Sequence, residues 1–496
     1  MAKAIKAEQY VLLPAGGLRA KGRGAGAESQ AFLRSTETSG AEGVTLEGVQ
    51  VPMRVIDSIS PDGAKLVELP SQSMLAIRSL LPSLRLVPVR YYTPATAPLM
   101  EVATQAARAA AAAPTITIKV LSKAGKKPVV GAIVQAFTDV ENGVGAQGVS
   151  DSEGKVELRL GSACAEVKAL YVYPADAYWT LLKRNLTIKT GTVISLLPLD
   201  LGYTDALRFF YGNPELAVGT GVTVGVLDTG IANHPDLVID GGANTVTGED
   251  PKDFGDNGKG GHGTHVAGII AARGEAPTGV RGVAPGVTLR AYRVFARNSG
   301  SASSFAIAKA IDQAVLDKCD LLNMSLGGGS PDPVLTAAIE DARADGTLCI
   351  IATGNDGRQP VSFPAVLGSA IAVSAFGRKG TFPASSAEVE YVASPYGTDK
   401  KNFVASFSNV GPEVDLTGPG VAIISTVPTG HTEISGTSMA CPAVTGAAAA
   451  ALAGSDALKQ KRDGARSDAM VKALLATATP LGFGPPFEGH GLPMPE

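Results

Sequence analysis

The spacing of apolar positions divides the chain into parts of different texture. In the first 93 residues, EQYVLLP, GVQVPMRVIDSIS and LRLVPVRYY alternate as β-strands do, whereas PSQSMLAIRSLLP has helical spacing. We therefore expect a small α+β domain over residues 1–93. Residues 94–114 lie between two prolines and are rich in alanine, which predicts a linker or a weak linker helix.

Short β-rich runs follow between residues 115 and 200. TITIKVL, VVGAIVQAF, VKALYVYP and NLTIKTGTVISLLPL are separated by turns that contain glycine or proline. Regularly spaced strands of this kind are typical of a β-sandwich, and we expect one over residues 115–200.

Beyond residue 203, apolar strands alternate with amphipathic helices. GVTVGVLD, VTLRAYRVF, CDLLNMSL and TLCIIATG are predicted strands, and HGTHVAGIIAA, SSFAIAKAIDQAVLDK and PVLTAAIEDARADG are predicted helices. This alternation predicts an α/β domain over residues 203–496, a doubly wound and mostly parallel sheet covered on both faces. Sites in such sheets lie beyond the carboxyl ends of the strands, where Asp228, Ser325 and Asn355 fall.

Composition excludes several partners and favours a compartment. With 43 basic and 46 acidic residues the net charge is −3, so no large positive field would hold a nucleic acid. We expect no membrane span, because the most apolar tract, GAAAAALAG, is far too short. The N-terminal residues lack the apolar core of a secretory signal. The four cysteines have no CxxC spacing, and we expect them to be unpaired core residues. The expected location is the cytoplasm, or outside the cell by a route without a classical signal peptide.

Three residues form a candidate catalytic set. Asp228 ends a predicted strand, His262 opens a predicted helix within GGHGTHVAG, and Ser438 lies at a glycine turn that enters another helix. An acid, a base and a hydroxyl on rigid termini are the components of a Ser-His-Asp triad.

The segments VGVLDTGI, GGHGTHVAG, ATGNDG and SGTSMACPAVTG resemble, in this order, the motifs of the subtilases, the subtilisin-like serine proteases of peptidase family S8. The resemblance covers about residues 203–496. It implies a subtilisin-like fold and a serine endopeptidase that forms an acyl-enzyme on protein or peptide substrates and requires no cofactor.

The same resemblance assigns roles to individual residues. His262 takes the place of the general base, Asp228 of the residue that orients it and Ser438 of the nucleophile, while His265 is expected to be structural. Asn355 corresponds to the oxyanion-hole asparagine, acting together with the Ser438 backbone N–H. Two further segments resemble the substrate-lining segments, whose backbone groups would pair with an extended peptide: Ser325, Leu326 and Gly327, and Ala352, Thr353 and Gly354.

Calcium sites are common in the family, but the residues here depart from its pattern. Glu275, Ala276 and Pro277 stand where the family's calcium loop carries asparagine side chains, which puts that site in doubt. Asp236 or the acidic stretch 248–257 could hold a hard cation, although a solvated loop also explains them. The metal ligands, if any, are therefore unknown at this point.

The segments that precede the protease have weaker resemblances. QYVLLP and LRLVPVRYY resemble the first and last strands of a subtilase inhibitory propeptide, which implies a zymogen that is restrained by its own N-terminal domain and processes itself between about residues 88 and 114. Residues 115–200 resemble a transthyretin-like or carboxypeptidase-regulatory sandwich. Two other functions remain open: a catalytically silent peptide-binding scaffold, and a sandwich binding module with an attached processing protease.

Overall fold

The computed structural model describes residues 8–20, 25–36, 44–46, 49–103, 114–256 and 260–495. The central part of the predicted linker, residues 104–113, lies outside the described residues, so the expected linker helix is not addressed. Residues 95–103 of the same segment are described and are not helical.

The N-terminal region contains an antiparallel sheet of four strands in the order β4-β5-β1-β6. Its strands and helices are β1 (Glu8–Pro14), α1 (Ala25–Ser35), β2 (Val44–Leu46), β3 (Val49–Val51), β4 (Arg54–Ser58), β5 (Lys65–Leu69), α2 (Ser71–Leu80) and β6 (Leu84–Pro88). Helix α1 was not predicted from the sequence, because AGAESQAFLRS carries few apolar residues.

Strand β1 has apolar side chains on both faces of this sheet. Tyr10 and Leu12 pack in a core with α2 and with the end of α1, whereas Val11 and Leu13 pack in a core shared with helices of the C-terminal α/β domain. Successive strand residues point to opposite faces, so the run YVLL marks a sheet that is covered on both sides. Strand β7 (Tyr91–Pro94) follows and pairs with strands of the C-terminal α/β domain.

Residues 115–196 form two facing sheets, in the orders β10-β9-β12-β13 and β11-β8-β14. The strands are β8 (Thr115–Ser122), β9 (Ile133–Asp139), β10 (Val144–Val149), β11 (Lys155–Arg159), β12 (Cys164–Tyr173), β13 (Leu181–Lys189) and β14 (Val193–Leu196). The alternation in TITIKVL places Ile116, Ile118 and Val120 in the core between the sheets.

The remaining residues form an α/β domain around a nine-stranded sheet. Its strands are β15 (Thr223–Asp228), β16 (Gly242–Asn244), β17 (Thr288–Arg293), β19 (Leu321–Met324), β21 (Leu348–Ala352), β22 (Ile371–Arg378), β23 (Val392–Tyr396), β24 (Asn402–Ala405) and β25 (Leu416–Pro419). Smaller strands are β18 (Ala302–Ser303), β20 (Leu326–Gly327), β26 (Ile423–Val427), β27 (Gly430–Ile434), β28 (Ala478–Thr479) and β29 (Leu492–Pro493). Strands β16, β17, β15, β19, β21 and β22 run parallel, which confirms the predicted fold class.

Helices cover both faces of this sheet. They are α3 (Ala206–Tyr211), α4 (His262–Ala271), α5 (Ser304–Leu316), α6 (Pro333–Ala344), α7 (Thr437–Leu452), α8 (Asp456–Lys459), α9 (Gly464–Leu475) and α10 (Pro485–Glu488), with a 3₁₀ turn at Ala387–Tyr391. Helices α4, α7 and α9 pack on one face, and α5 and α6 on the other. The carboxyl ends of β15, β19 and β21 therefore open toward the starts of α4 and α7.

The cysteines depart in one respect from expectation. All four are free, and Cys319, Cys349 and Cys441 are buried, but Cys164 is exposed at the start of β12. The expectation of a core position was therefore wrong for Cys164. Across the described residues, no helix combines the length and the apolar character that a bilayer crossing requires.

Candidate active site

Asp228 and His262 meet at the carboxyl edge of the sheet. Asp228 is the last residue of β15 and fully buried, and His262 is the first residue of α4. The His262 Nδ1–H donates to Asp228 Oδ1 at 2.7 Å. Because a carboxylate only accepts, this bond places the proton on Nδ1 and leaves Nε2 as the acceptor.

The glycines beside His262 are required by close contacts. Gly261 has φ +67°, and a Cβ there would lie 2.1 Å from Pro428 Cδ. A Cβ on Gly263 would lie 2.2 Å from the Gly230 carbonyl oxygen. Glycine therefore lets α4 begin against two neighbouring loops and holds the imidazole at the helix start.

Burial and charge act in opposite directions on His262. Burial alone would lower its pKa, but the Asp228 carboxylate more than offsets that effect and raises the pKa above its usual value. Nε2 is buried and has no hydrogen-bond partner among the described residues. The site thus contains an oriented base whose accepting nitrogen is unoccupied.

His265 lies one helical turn further on and has different surroundings. Its Nε2 is 3.0 Å from the Ile423 carbonyl oxygen and 3.2 Å from that of Thr432, so Nε2–H donates to both. Burial lowers its pKa to about 3. A neutral ring fixed between two strands is suited to structural support.

Ser438 follows Thr437 at the start of α7 and is fully buried. Its hydroxyl donates to the Ser325 carbonyl at 3.0 Å and not to His262. Its backbone N–H donates to the Ala95 carbonyl oxygen at 3.0 Å. A Cβ on Gly436 would lie 2.7 Å from that same oxygen, so glycine is needed where the chain at Ala95 approaches the start of α7.

Asn355 lies beside the same position. Its Oδ1 accepts from the Thr437 backbone N–H at 2.9 Å, which orients the side-chain amide. Its Nδ2 is buried, and no partner for it is found among the described residues. An unpaired buried donor next to the Ser438 N–H is the arrangement expected of an oxyanion hole.

Strand β7 occupies the cleft between two edges of the protease. On one side it pairs antiparallel with β20, with Leu326 opposite Pro94 and Gly327 opposite Thr93. On the other side it pairs with β18, with Ala302 opposite Tyr92. The Ala95 N–H also donates to the Ser325 carbonyl at 3.1 Å. The Ser325–Gly327 edge was predicted from its motif, whereas the edge at residues 302–303 was not, because it carries no recognisable motif.

The second predicted lining segment, residues 352–354, does not pair with β7 in the way that the first segment does. The Thr353 N–H donates to the Val373 carbonyl, and the Thr353 carbonyl accepts from Ser362, so this backbone is paired within the protease. Ala352 and Ala95 belong to one buried apolar cluster. Residues 352–354 therefore do not add a strand to β7, contrary to the expectation.

Tyr92 fills a pocket beside the cleft. Its side chain is 1% exposed, and its ring lies 6.1 Å from that of Phe363 between centroids. The hydroxyl lies 3.5 Å from Oδ2 of Asp332, a buried residue whose Oδ1 caps α6 through the Val334 N–H. The neighbouring Tyr91 is 59% exposed, so only one of the two tyrosines is enclosed.

A calcium ion does not fit the residues around Asp236. Its Oδ2 accepts from the Val280 N–H at 2.8 Å and from His431 Nε2 at 2.8 Å. His234 is close to both, and its Nδ1 accepts from the Asp236 N–H. A hard cation prefers several oxygen ligands, whereas these neighbours are N–H donors and imidazoles.

The acidic stretch 248–257 is also largely accounted for by protein contacts. Glu249 pairs with the buried Arg293, and Asp253 with Arg293 and Arg297. Asp256 accepts from the Thr264 hydroxyl at 2.7 Å. These carboxylates are therefore paired with groups of the protein.

Comparison with known proteins agrees with the fold. Residues 219–491 match the model of the Subtilase family. The chain belongs to this family, and it is a serine endopeptidase of peptidase family S8.

Several relatives are similar over the same domain. Subtilisin Savinase from Lederbergia lenta is 40% identical over 265 residues, which cover 53% of this chain and 86% of that protein. Subtilisin DY from Bacillus licheniformis is 41% identical over 47% of this chain and 76% of its own. The Alkaline protease of Alkalihalobacillus alcalophilus is 40% identical over 53% of this chain. The aligned region covers only 60% of that relative's length.

Proposed function

We propose that the chain is an autoinhibited endopeptidase that works through Asp228, His262 and Ser438 and first cuts itself between Ala95 and Thr96. The position of the Ala95 carbonyl carries this proposal. Its oxygen accepts from the Ser438 N–H at 3.0 Å, where a substrate carbonyl would have to lie. The same strand is paired on both sides, so a second peptide has no room in the cleft.

The chemistry follows from these positions. Ser438 Oγ bonds to the Ala95 carbonyl carbon while its proton passes to His262 Nε2. The negative charge that forms on the carbonyl oxygen is stabilised by the Ser438 N–H and the Asn355 amide. The bond to the Thr96 nitrogen then breaks, and that nitrogen takes the proton from His262. Water hydrolyses the resulting ester by the same steps in reverse order.

In the described state the Ser438 hydroxyl does not donate to His262, and we infer that this side chain rotates to reach the reactive state. The Ser438 hydroxyl donates to the Ser325 carbonyl, which also accepts the Ala95 N–H. Rotation about the Cα–Cβ bond would move the Ser438 hydroxyl from the Ser325 carbonyl, a weak base, to His262 Nε2, a stronger one. Staggered rotamers of serine interconvert readily.

Inhibition would outlast the first cut. Hydrolysis at Ala95 breaks neither the pairing of β7 with β18 and β20 nor the enclosure of Tyr92. The new carboxylate at Ala95 would remain near the oxyanion donors. The cut N-terminal fragment is therefore a bound product that inhibits the enzyme, and it must dissociate or be degraded before other substrates enter.

Mass spectrometry of the purified chain beside its Ser438→Ala variant tests the proposal. We expect wild type to give a new N-terminus at Thr96 and the variant to stay whole. A fluorophosphonate probe should label wild type only after the cut fragment has dissociated, because β7 covers Ser438 until then. A whole wild-type chain that hydrolyses added peptides freely would contradict autoinhibition, and a folded chain that never reacts would indicate a silent scaffold.

A further inference from the structure

The chain beyond Ala95 does not turn into solvent but passes onto the β-sandwich. The Ala97 N–H donates to the Ser435 carbonyl at 2.9 Å, the last of these contacts with the protease backbone. The Met100 carbonyl then accepts from Gln135 Nε2 at 2.8 Å, and the Ala103 N–H donates to the Gly143 carbonyl at 2.9 Å. Gln135 lies in β9, and Gly143 lies in the turn that follows it.

Side chains of this segment alternate as in an extended peptide. Met100 and Val102 are partly buried against an apolar cluster, whereas Leu99 and Glu101 are exposed. The cluster is contributed by both domains: Phe137, Val140, Ala169, Tyr171, Tyr173 and Leu182 from the sandwich, and Ala387 and Val389 from the protease. A period of two places every second side chain on the groove.

Two features show that the groove is shaped for a backbone. Gln135 is only 3% exposed, and its amide nitrogen donates to Gln147 and to Met100, a residue outside the sandwich. Its Oε1 is buried without a partner among the described residues. Gly143 has φ +64°, and a Cβ there would lie 3.0 Å from the Glu101 carbonyl oxygen. A buried amide N–H is costly unless it is hydrogen-bonded, so the Gln135 N–H that donates to Met100 favours an incoming carbonyl group.

We propose that the sandwich extends the substrate cleft on the leaving-group side of the cut bond. This inference rests on the proposed cut between Ala95 and Thr96, which makes Met100 and Val102 the fifth and seventh residues after the bond. The groove would take an extended peptide with apolar side chains at these two positions and a carbonyl that accepts from Gln135.

After the cut, the chain's own segment competes for this groove. Residues 96–103 remain joined to the sandwich through the chain that follows, which keeps their effective concentration high. A substrate long enough to reach the groove must displace them, whereas a short substrate need not. Tight binding of residues 96–103 to the groove should therefore slow the cleavage of long substrates more than that of short ones.

Three substrates test this inference on the self-processed enzyme. All carry RYYTPA before the bond, which is the chain's own sequence at 90–95. One continues with TAPLMEVA, a second replaces its Met and Val by Ser, and the third ends in p-nitroanilide. We expect kcat/KM for the Met/Val peptide to exceed that for the Ser/Ser peptide by about tenfold, because two side chains are withdrawn from water.

Variants connect that ratio to the groove. In Gln135→Ala the ratio should fall toward one, whereas Glu157→Ala, an exposed change on the other sheet, should keep the wild-type ratio. In the Met100→Ser, Val102→Ser double variant, kcat/KM for the Met/Val peptide should rise several-fold as the competing segment loosens.

Equal kcat/KM for the two long peptides would overturn the inference even if Gln135→Ala does not fold. An unchanged rate in the double variant would contradict competition for one groove. Failure to cleave any of the three substrates would instead count against the proposed function, so the two failures can be told apart.

Discussion

The protease domain has two neighbours, and it holds them by different means. The N-terminal domain contacts α5 through an apolar face with ion pairs at its margin, such as Arg19 with Asp312 at 2.7 Å and Asp57 with Lys309 at 2.7 Å. These side chains are partly exposed, and exposed ion pairs contribute little and are screened by salt. A single strand in the cleft completes the attachment.

The contacts of the sandwich with the protease include buried carboxyl groups and a buried tryptophan as well as an exposed ion pair. Thr180 donates its hydroxyl to Glu388 at 2.6 Å and its backbone N–H to Glu433 at 3.1 Å. Trp179 is 1% exposed and lies against Tyr203. The chain also runs without interruption from the sandwich into the protease. This difference supports the proposal that the N-terminal domain is removed and that the sandwich remains.

Replacing His262, the proposed catalytic base, should prevent release of the N-terminal domain, and this is the largest effect that we expect. His262→Ala should lower self-cleavage by at least about 10,000-fold and leave both neighbours attached. His265→Gln, a change at the neighbouring structural ring, should keep most of the activity if it folds. Intact mass over time measures both, and equal loss in two folded variants would refute the assignment of the pair.

The pH dependence of the freed enzyme sharpens the same assignment. His262 accepts a proton only when neutral, so activity is absent below its pKa and rises as pH increases through it. Since Asp228 raises this pKa above the ordinary value of about 6.5, the rise should be centred above that pH. A profile of kcat/KM centred below it would contradict the effect of Asp228.

Asn355→Ala should slow the cut without preventing it. Loss of one oxyanion donor costs about 100- to 1,000-fold in turnover. The N-terminal domain should then stay attached for a correspondingly longer time, although β7 still binds. Single-turnover measurement of the intact chain separates this from binding, and a change in KM with unchanged kcat on peptides would instead make Asn355 a binding residue.

The two adjacent tyrosines of β7 provide a matched test of attachment. Tyr92→Ala empties an enclosed pocket and should weaken retention of the cut N-terminal fragment by about 100-fold. Tyr91→Ala removes an exposed side chain and should change it little. The onset of peptidase activity on dilution measures retention, and similar behaviour of both variants would show that the pocket does not hold the fragment.

The smallest expected effect concerns the sandwich interface and pH. Burial raises the pKa of Glu388, and burial together with Glu388 raises that of Glu433. Carboxyls with a raised folded-state pKa stabilise fully below the unfolded value of about 4.5, and the contribution is lost as pH rises through the folded value. In the Ser438→Ala background, Tm should therefore fall by a few degrees between about pH 5 and about pH 8.

Glu388→Gln should reduce that fall, since it removes one of the two charges. Glu390→Gln, two residues away and paired with Arg184, serves as the control and should keep the wild-type slope. Identical slopes in all three proteins would mean that the buried pair does not set the pH dependence of this interface.

Features that depend on residues close together in the sequence could be predicted, whereas contacts between distant segments could not. The parallel sheet was predictable because its strands and helices each carry their own apolar pattern, and Asp228 and His262 belong to motifs at element ends. The position of Ala95 was not, because its bond to the Ser438 N–H depends on a register between segments 343 residues apart, the difference between 438 and 95. The contact of Thr180 with Glu388 likewise joins two domains that fold around separate cores.

The two edges that flank β7 also determine which conformation a substrate must adopt in order to bind. Strands β18 and β20 each offer backbone groups to a chain that lies fully extended between them. A folded protein rarely presents such a stretch with both of its sides unpaired, so it must first open locally. Its rate of degradation would then follow the free energy of that opening rather than its amino-acid sequence. The enzyme would accordingly discriminate between stable and unstable proteins, and damaged or incompletely folded chains would be degraded first.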